Sequence, residues 1–310
     1  MPSSILHVLT GPTAVGKTAL ALDWAERHGA LIVSCDSLLL YRGMDIGTAK
    51  PTADELARVP HACVDVADPA GKPYTIGEYI AGARRAVDAA MKEGRPVLVT
   101  GGSGFYLKCF YAPVTDALEI PQAVRDEVEA LRQAGPAAAL RRLRELEPYP
   151  PAKLDLNNPV RVLKALERRL ASGRPLAELL AEFEARPGAF DDFEKRTVLL
   201  TRSPESLERR IRLRVDLMLR DGLMDEVKRL LASGLRLDSP AAAATGYRET
   251  IAWLRDGEPG GPAALAESIA ISTRQLAAKQ RKWFRTQLPE PKRVIDLDVA
   301  TPDAAALFDA

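Results

Sequence analysis

The 310-residue chain has little cysteine, little histidine, no excess charge of either sign and no long apolar run. Its three cysteines, Cys35, Cys63 and Cys109, are an odd set spread far apart, which argues against a disulfide framework and for a reducing compartment. Only His7, His28 and His61 are present, and His61 and Cys63 have no second pair nearby, so a structural zinc site is not expected. Lys and Arg number 43 against 42 Asp and Glu, for a net charge of +1. A whole-chain field for nucleic acid is therefore absent, and any polyanion site must arise from local clustering. No apolar run is long enough to span a bilayer, and the first residues lack a charged-then-apolar leader. These absences lead us to expect a soluble, cytoplasmic protein with no membrane partner. At 46% hydrophobic and 27% charged, the composition is that of a globular protein, and the length allows about two domains.

The chain opens with a β-rich run, Ile5 to Thr10, then reads Gly11-Pro12-Thr13-Ala14-Val15-Gly16-Lys17-Thr18, then turns helix-forming from Ala19 to His28. Strand, Gly-x-x-x-x-Gly-Lys-Thr and helix are the P-loop in its required context. Gly11 and Gly16 let the backbone curl so that its N–H groups point at phosphate oxygens. Lys17 adds a charge at the helix N-terminus, and the Thr18 hydroxyl suits Mg²⁺. The loop fixes a polyphosphate but leaves the reaction open.

A second apolar run, Ala30 to Ser34, ends in Cys35-Asp36-Ser37, which places Asp36 near the phosphates at the carboxyl ends of the strands. Asp36 is then a Mg²⁺ ligand, a general base or a helix N-cap. A third strand, Pro96 to Thr100, follows a helix from about Thr75 to Glu93 and runs into Gly101-Gly102-Ser103-Gly104. A P-loop ATPase would usually place a metal-positioning Asp there, so its absence weakens that reading.

Several blocks read together resemble the tRNA dimethylallyltransferases, also called tRNA isopentenyltransferases. They are the P-loop, Asp36-Ser37, Tyr41-Arg42-Gly43-Met44-Asp45-Ile46-Gly47-Thr48-Ala49-Lys50-Pro51, Gly101 to Tyr106, Asn158-Pro159-Val160-Arg161, Gly246-Tyr247-Arg248 and Thr273-Arg274-Gln275-Leu276-Ala277. The blocks follow the family's order across nearly the whole chain. The resemblance implies transfer of a dimethylallyl group from dimethylallyl diphosphate to N6 of the adenosine beside the anticodon (position 37) of tRNA, releasing diphosphate. It implies that Asp36 is the base, with Thr13, Lys17 and Arg214 sharing catalysis. Diphosphate would be held by Gly11, Pro12, Thr13, Ala14, Val15, Gly16, Lys17, Thr18 and Arg214, with Mg²⁺ on Thr18. The implied tRNA contacts are Asp36, Ser37, Leu38, Leu39, Ser103, Arg125, Val160, Arg161, Val162, Leu163, Lys164, Gly246, Tyr247, Arg248, Arg274, Gln275 and Arg281. Ser103 stands where many members have Thr, and no C-terminal zinc finger is present, as in the bacterial form.

The expected fold class is α/β, a P-loop NTPase-like parallel sheet flanked by helices with an inserted all-helical subdomain. The core domain is placed at 1–112 plus 196–310, and the Pro-punctuated insertion at 113–195. Local charge gathers in the insertion: nine Arg or Lys against four acids between Arg141 and Arg174. Asn158-Pro159 is a good cap and first-turn pair, and the helix it starts puts Arg161, Lys164 and Arg168 on one face. Val160, Leu163, Leu166 and Leu170 fall toward the other side and read as core. Near the C-terminus Arg274, Arg281 and Arg285 lie within about 40° of one another, opposite Leu276 and Trp283. Two such stripes suit a folded RNA backbone, though each alone also reads as a solvated face. Phe105 reads as core, with base stacking the alternative. A monomer is expected. The competing readings are a P-loop kinase for a small molecule or nucleoside, and a non-catalytic RNA-binding protein.

Overall fold

The computed structural model describes residues 5–309 apart from 117 and 291. In chain order its elements begin β1 (Ile5–Thr10), α1 (Lys17–His28), β2 (Leu31–Ser34), α2 (Ala53–Arg58), β3 (His61–Ala62), α3 (Ile76–Lys92), β4 (Val97–Gly101) and α4 (Gly104–Lys108). Then come four consecutive helices, α5 (Gln122–Ala134), α6 (Pro136–Leu146), α7 (Pro159–Ser172) and α8 (Leu176–Glu184). The chain returns through β5 (Glu194–Thr201), α9 (Pro204–Arg220), α10 (Leu223–Ala232), α11 (Tyr247–Arg255), α12 (Gly261–Gln287) and β6 (Arg293–Asp296). The six strands form one sheet in the order β3-β2-β4-β1-β5-β6. Every pairing in it is parallel.

The sheet agrees with the expected fold class and includes two short strands that the sequence does not signal. β3 has two residues and β6 four, too few to show a periodic pattern. β1 lies in the middle of the sheet between β4 and β5, so its carboxyl end, where the P-loop begins, is bordered by the ends of both neighbours. That is the position at which parallel sheets bind ligands. One side of the sheet buries Leu9, Ile32, Leu98 and Leu200 against Leu22, Trp24 and Ala25 of α1. A second core joins α9, α10, α11 and α12 through Ile211, Val215, Val227, Tyr247, Ile251 and Ile269. Helix starts follow their local chemistry. Thr75 and Glu78 close a capping box on α3, and the Asn158 side chain accepts the N–H groups of Val160 and Arg161 at the start of α7.

The chain divides into two compact units, Met1–Ala112 with Ala189–Ala310, and Pro113–Gly188. The second unit packs α5 to α8 around Val128, Ala139, Leu143, Val162, Leu166 and Leu176. Residues 189–195, assigned from the sequence to the insertion, instead lie with the sheet. The reason is an aromatic and ionic clasp: Phe190 is fully buried and stacks on Phe110 at 4.4 Å between centroids. Arg84 meanwhile donates to Ala189 O and to both carboxylate oxygens of Asp192. Val160 corrects the helical-wheel reading, being 66% exposed rather than core, because it sits in the first turn of α7 beyond the reach of the packed face. Phe105 is also exposed, at 55%, in the first turn of the short α4.

Where β4 ends, it runs hard against the end of β2. A Cβ added at Gly101 would lie 2.0 Å from Cys35 O and 2.9 Å from Cys35 Cα, both main-chain atoms locked by the Cys35 N–H to Thr100 O bond of 2.7 Å. Gly101→Ala is therefore expected to destabilise the protein by about 3 kcal/mol, since overpacking against backbone has no side chain to yield. Urea unfolding measures this, and a loss below about 1 kcal/mol would contradict the close approach.

Candidate active site at the P-loop

A cavity of about 700 Å³ opens at the carboxyl edge of the sheet. Its walls come from the P-loop (Thr13, Lys17, Thr18), the turn after β2 (Asp36 to Leu39), Gly47 to Ala49, the Gly101 to Gly104 turn, Arg210 and Arg214 of α9, and Gln280 of α12. Sequence elements far apart in the chain thus meet at one place because β1, β2 and β4 end side by side while α9 and α12 close over them.

The P-loop is held by arginines through its carbonyls. Arg210 donates to Ala14 O (2.6 Å), and Arg202 donates to Val15 O (2.9 Å) and pairs with Asp298. These bonds fix a turn in which Ala14 has φ +62°, a conformation that a residue with a Cβ keeps only when its surroundings dictate it, while Gly16 takes φ +112° freely. Inside the loop, Lys17 Nζ donates to Gly11 O (2.7 Å) and Pro12 O (2.8 Å). Burial lowers the Lys17 ammonium to about 8; Asp36 opposes the shift and Arg214 adds to it. Arg214 donates to Thr13 Oγ1 (3.2 Å) and to Thr48 O (3.1 Å). Three of the expected catalytic residues, Thr13, Lys17 and Arg214, therefore surround one small volume.

Asp36 faces the same volume. Its carboxylate accepts the Leu38 N–H at 3.0 Å, closing an Asx turn. No helix follows it, which removes the N-cap alternative. Burial raises its pKa above the ordinary carboxylate value, against the lowering effects of the Leu38 N–H, Lys17 and Arg214. Ser103 Oγ accepts the Ser37 N–H at 3.1 Å and lies 3.4 Å from Ser37 Oγ, so the hydroxyl ties the β4 turn to the Asp36 turn.

Residues 44–51, the most distinctive block of the sequence, fold into a braced turn. Glu226, 2% exposed, accepts the N–H groups of Asp45 (2.9 Å), Ile46 (2.8 Å) and Gly47 (3.2 Å) and the Tyr247 hydroxyl (2.6 Å). Lys50 donates to Tyr41 O and Asp45 Oδ1 and pairs with Asp65. The brace sets Thr48 O, to which Arg214 is bonded. Tyr247, read from the sequence as a tRNA contact, is wholly buried and has no side-chain surface to offer. Val162 is likewise 2% exposed, inside the helical unit, and Leu163 is half-buried there. Gly246 and Leu38, Leu39 and Ser37 line the cavity. Arg248 is engaged by Glu249, and Gln275 is exposed.

The two basic stripes differ from their sequence pattern. On α7 Lys164 pairs with Glu167 and Arg168 with Asp116, leaving only Arg161 of the three without a partner among the described residues. On α12 Arg274 pairs with Glu208. Arg281 and Arg285 have no ion-pair partner among the described residues and line a second cavity of about 360 Å³ with Arg202 and Lys292. Arg125 lies exposed on α5, donating to Ile120 O. Sequence reasoning did not find Gln280, Arg210, Arg202 or Glu226. Arg210 carries a signal, one turn before Arg214 on α9, but the pairings of Gln280 and Glu226 are long-range and leave no local pattern.

Among the described residues no three His, Cys, Asp or Glu side chains come together as a metal site. Thr18 is exposed at the cavity, and Asp36 is the one carboxylate among its described lining residues. So sparse a protein donor set suits Mg²⁺, which completes its shell with substrate phosphate oxygens and water.

Fold and site together define a P-loop-like α/β protein in which the loop lysine and Arg214 share one cavity with a single carboxylate, Asp36. A family model described as IPP transferase matches residues 39–287. A tRNA dimethylallyltransferase of Opitutus terrae is 56% identical over 305 residues, 98% of this chain and 96% of that protein. Another, of a Polaromonas species, is 39% identical over 95% of this chain and 92% of its own length. The chain belongs to the IPP transferase family. It is similar to the crystal structure of the full-length tRNA isopentenylpyrophosphate transferase of Bacillus halodurans, with TM-score 0.67 and 30% identity over 95% of this chain and 90% of that one. A eukaryotic dimethylallyltransferase crystallised acting on tRNA shares the fold, with TM-score 0.81 and 23% identity over 95% of this chain and 74% of that one.

An anion bound beside Lys17 raises its pKa again, so above about pH 8 binding must take up a proton and weakens as pH rises. Inorganic diphosphate is expected to lose affinity more steeply between about pH 8 and 9 with the wild type than with Lys17→Arg, whose charge persists. Calorimetry in buffers of different ionisation enthalpy measures the uptake, and equal slopes would contradict it.

Proposed function

We propose that the chain transfers the dimethylallyl group of dimethylallyl diphosphate to N6 of the adenosine beside the anticodon (position 37) of tRNA, giving N6-dimethylallyladenosine and diphosphate. The observation that carries this reading is one cavity in which Asp36 confronts Thr13, Lys17 and Arg214. The relatives' names and the tRNA-bound eukaryotic neighbour support the substrate pair.

In the reaction the N6 lone pair forms a bond to C1 of the allyl group while the C1–O bond breaks, and the electron pair leaves on the diphosphate. Asp36 accepts the N6 proton as the amine becomes a cationic centre. A carboxyl whose pKa is raised is a stronger base, and burial provides that shift here. Charge grows on the bridging oxygen of the leaving group. The Arg214 guanidinium and the Lys17 ammonium are donors held in place by their bonds to Thr13 Oγ1, Thr48 O, Gly11 O and Pro12 O, so they favour the transition state over the ground state. Mg²⁺, held by Thr18 and substrate oxygens, would neutralise part of the diphosphate charge. The adenosine must leave the loop stack to enter the cavity, at least cost for an unpaired nucleotide. Ser37, Leu38, Ser103 and Gly246 line its path, and Arg161, Arg281 and Arg285 offer unneutralised charge to the RNA backbone.

Asp36→Asn keeps the size of the side chain and removes the base. Label from radioactive dimethylallyl diphosphate is expected to enter tRNA at least about 100-fold more slowly, the contribution of a positioned base. Binding of tRNA, by filter retention, should change less than about threefold, because the neutral amide is isosteric with the carboxylate and makes no new clash. The wild-type acid limb of kcat/KM should lie above the ordinary carboxylate range, because burial raises Asp36 in the free protein. Undiminished transfer by Asp36→Asn would overturn the assignment, and ATP-dependent phosphoryl transfer without prenylation would favour a kinase.

A further inference from the structure

Among the described residues the Gln280 side chain is the only amide that spans from α12 to both the P-loop and the β4 turn. Its Oε1 accepts the Thr13 N–H at 2.8 Å, and its Nε2 donates to Gly102 O at 2.9 Å. The partners dictate the orientation, since a backbone N–H meets only an acceptor and a carbonyl meets only a donor. Gln280 is partly enclosed and lines the cavity.

The turn it grips is shaped to receive it. A Cβ at Gly102 would lie 2.8 Å from Gln280 Nε2, so a side chain there would push the tip of the amide out of its present place. From the two bonds, contacts extend to opposite ends of the reaction. On one side Thr13 Oγ1 receives Arg214, the guanidinium for the leaving group. On the other, Ser103 follows Gly102 and accepts the Ser37 N–H, next to the base Asp36.

We infer that Gln280 is a positioning residue that holds the diphosphate loop and the base turn in register, and that Gly102 is glycine to admit it. This rests on the proposed prenyl transfer. Gln280 does not touch the reacting atoms; it sets the separation between the donors that receive the leaving oxygen and the carboxylate that receives the proton. A displacement of about 1 Å between such groups costs on the order of 100-fold in rate.

The experiment measures prenyl transfer, with both substrates varied, for Gln280→Leu, Gln280→Glu, Gly102→Ala and the double variant Gln280→Leu with Gly102→Ala. Thermal unfolding is followed in parallel. The inference expects kcat to fall about 10- to 100-fold in each single variant, while the KM for dimethylallyl diphosphate moves less than the rate. The double variant should be no slower than the worse single one, because both break the same bond. Gln280→Glu should be most impaired at high pH, where a carboxylate opposes Gly102 O. Relative to the wild type it should recover as pH falls and the protonated acid regains a donor. Rates within about twofold of the wild type, additive losses, or a pH-independent ratio with a lowered melting temperature would each overturn it. If Gln280→Leu does not fold, the Gln280→Glu ratio and Gly102→Ala decide. If the wild type itself fails to prenylate tRNA, the functional reading falls instead.

Discussion

Crowding of positive charge around one loop is the constraint on which the rest depends. Lys17, Arg210 and Arg214 line the cavity at the P-loop, and Arg202 and Arg210 hold the loop by its Val15 and Ala14 carbonyls. Among the described lining residues only Asp36 answers them from within the cavity. Burial lowers the Lys17 pKa, the attraction of Asp36 opposes that shift, and the smaller repulsion of Arg214 adds to it. The Lys17 ammonium is held by the loop's own carbonyls, Gly11 O and Pro12 O. On the proposed reading, a diphosphate seated on this loop supplies the negative charge that these cations lack.

Keeping such a site intact requires bracing from outside the sheet. Glu226 holds the 45–47 turn by three backbone N–H groups, the turn presents Thr48 O, and Thr48 O orients Arg214. Burying a carboxylate is costly unless its lone pairs are satisfied, and here the Tyr247 hydroxyl joins those three N–H groups to satisfy them. The long motif around Met44 to Pro51 therefore serves geometry more than contact. Lys50 closes it, with only 3% of its side chain exposed between two aspartates.

Much of the arrangement is legible in the chain before it folds. The P-loop announces itself because strand, glycines, lysine and helix are contiguous, and Asp36 follows because strand ends converge in a parallel sheet. The starts of the capped helices are legible too, since Thr75, Glu78 and Asn158 act over one turn. What escapes a sequence reading is set by distant packing. Residues 189–195 join the sheet through Phe110 and Arg84, which no local pattern reveals. The stripe on α7 is legible as charge, but its neutralisation by Asp116 and Glu167 is not. Tyr247 belongs to a distinctive block and yet lies wholly inside, because a motif marks constraint without saying whether the constraint is contact or support.

In the proposed reaction one cavity presents the leaving-group donors and the proton acceptor to the two reacting atoms at once. The most direct measurement is a crystal structure with a non-hydrolysable thiolo analogue of dimethylallyl diphosphate and an anticodon stem-loop. The account predicts the diphosphate on the P-loop amides and Arg214, with adenosine N6 within about 3 Å of an Asp36 carboxylate oxygen. It is contradicted if the diphosphate lies elsewhere, or if Asp36 stays turned onto Leu38 while N6 is met by another side chain.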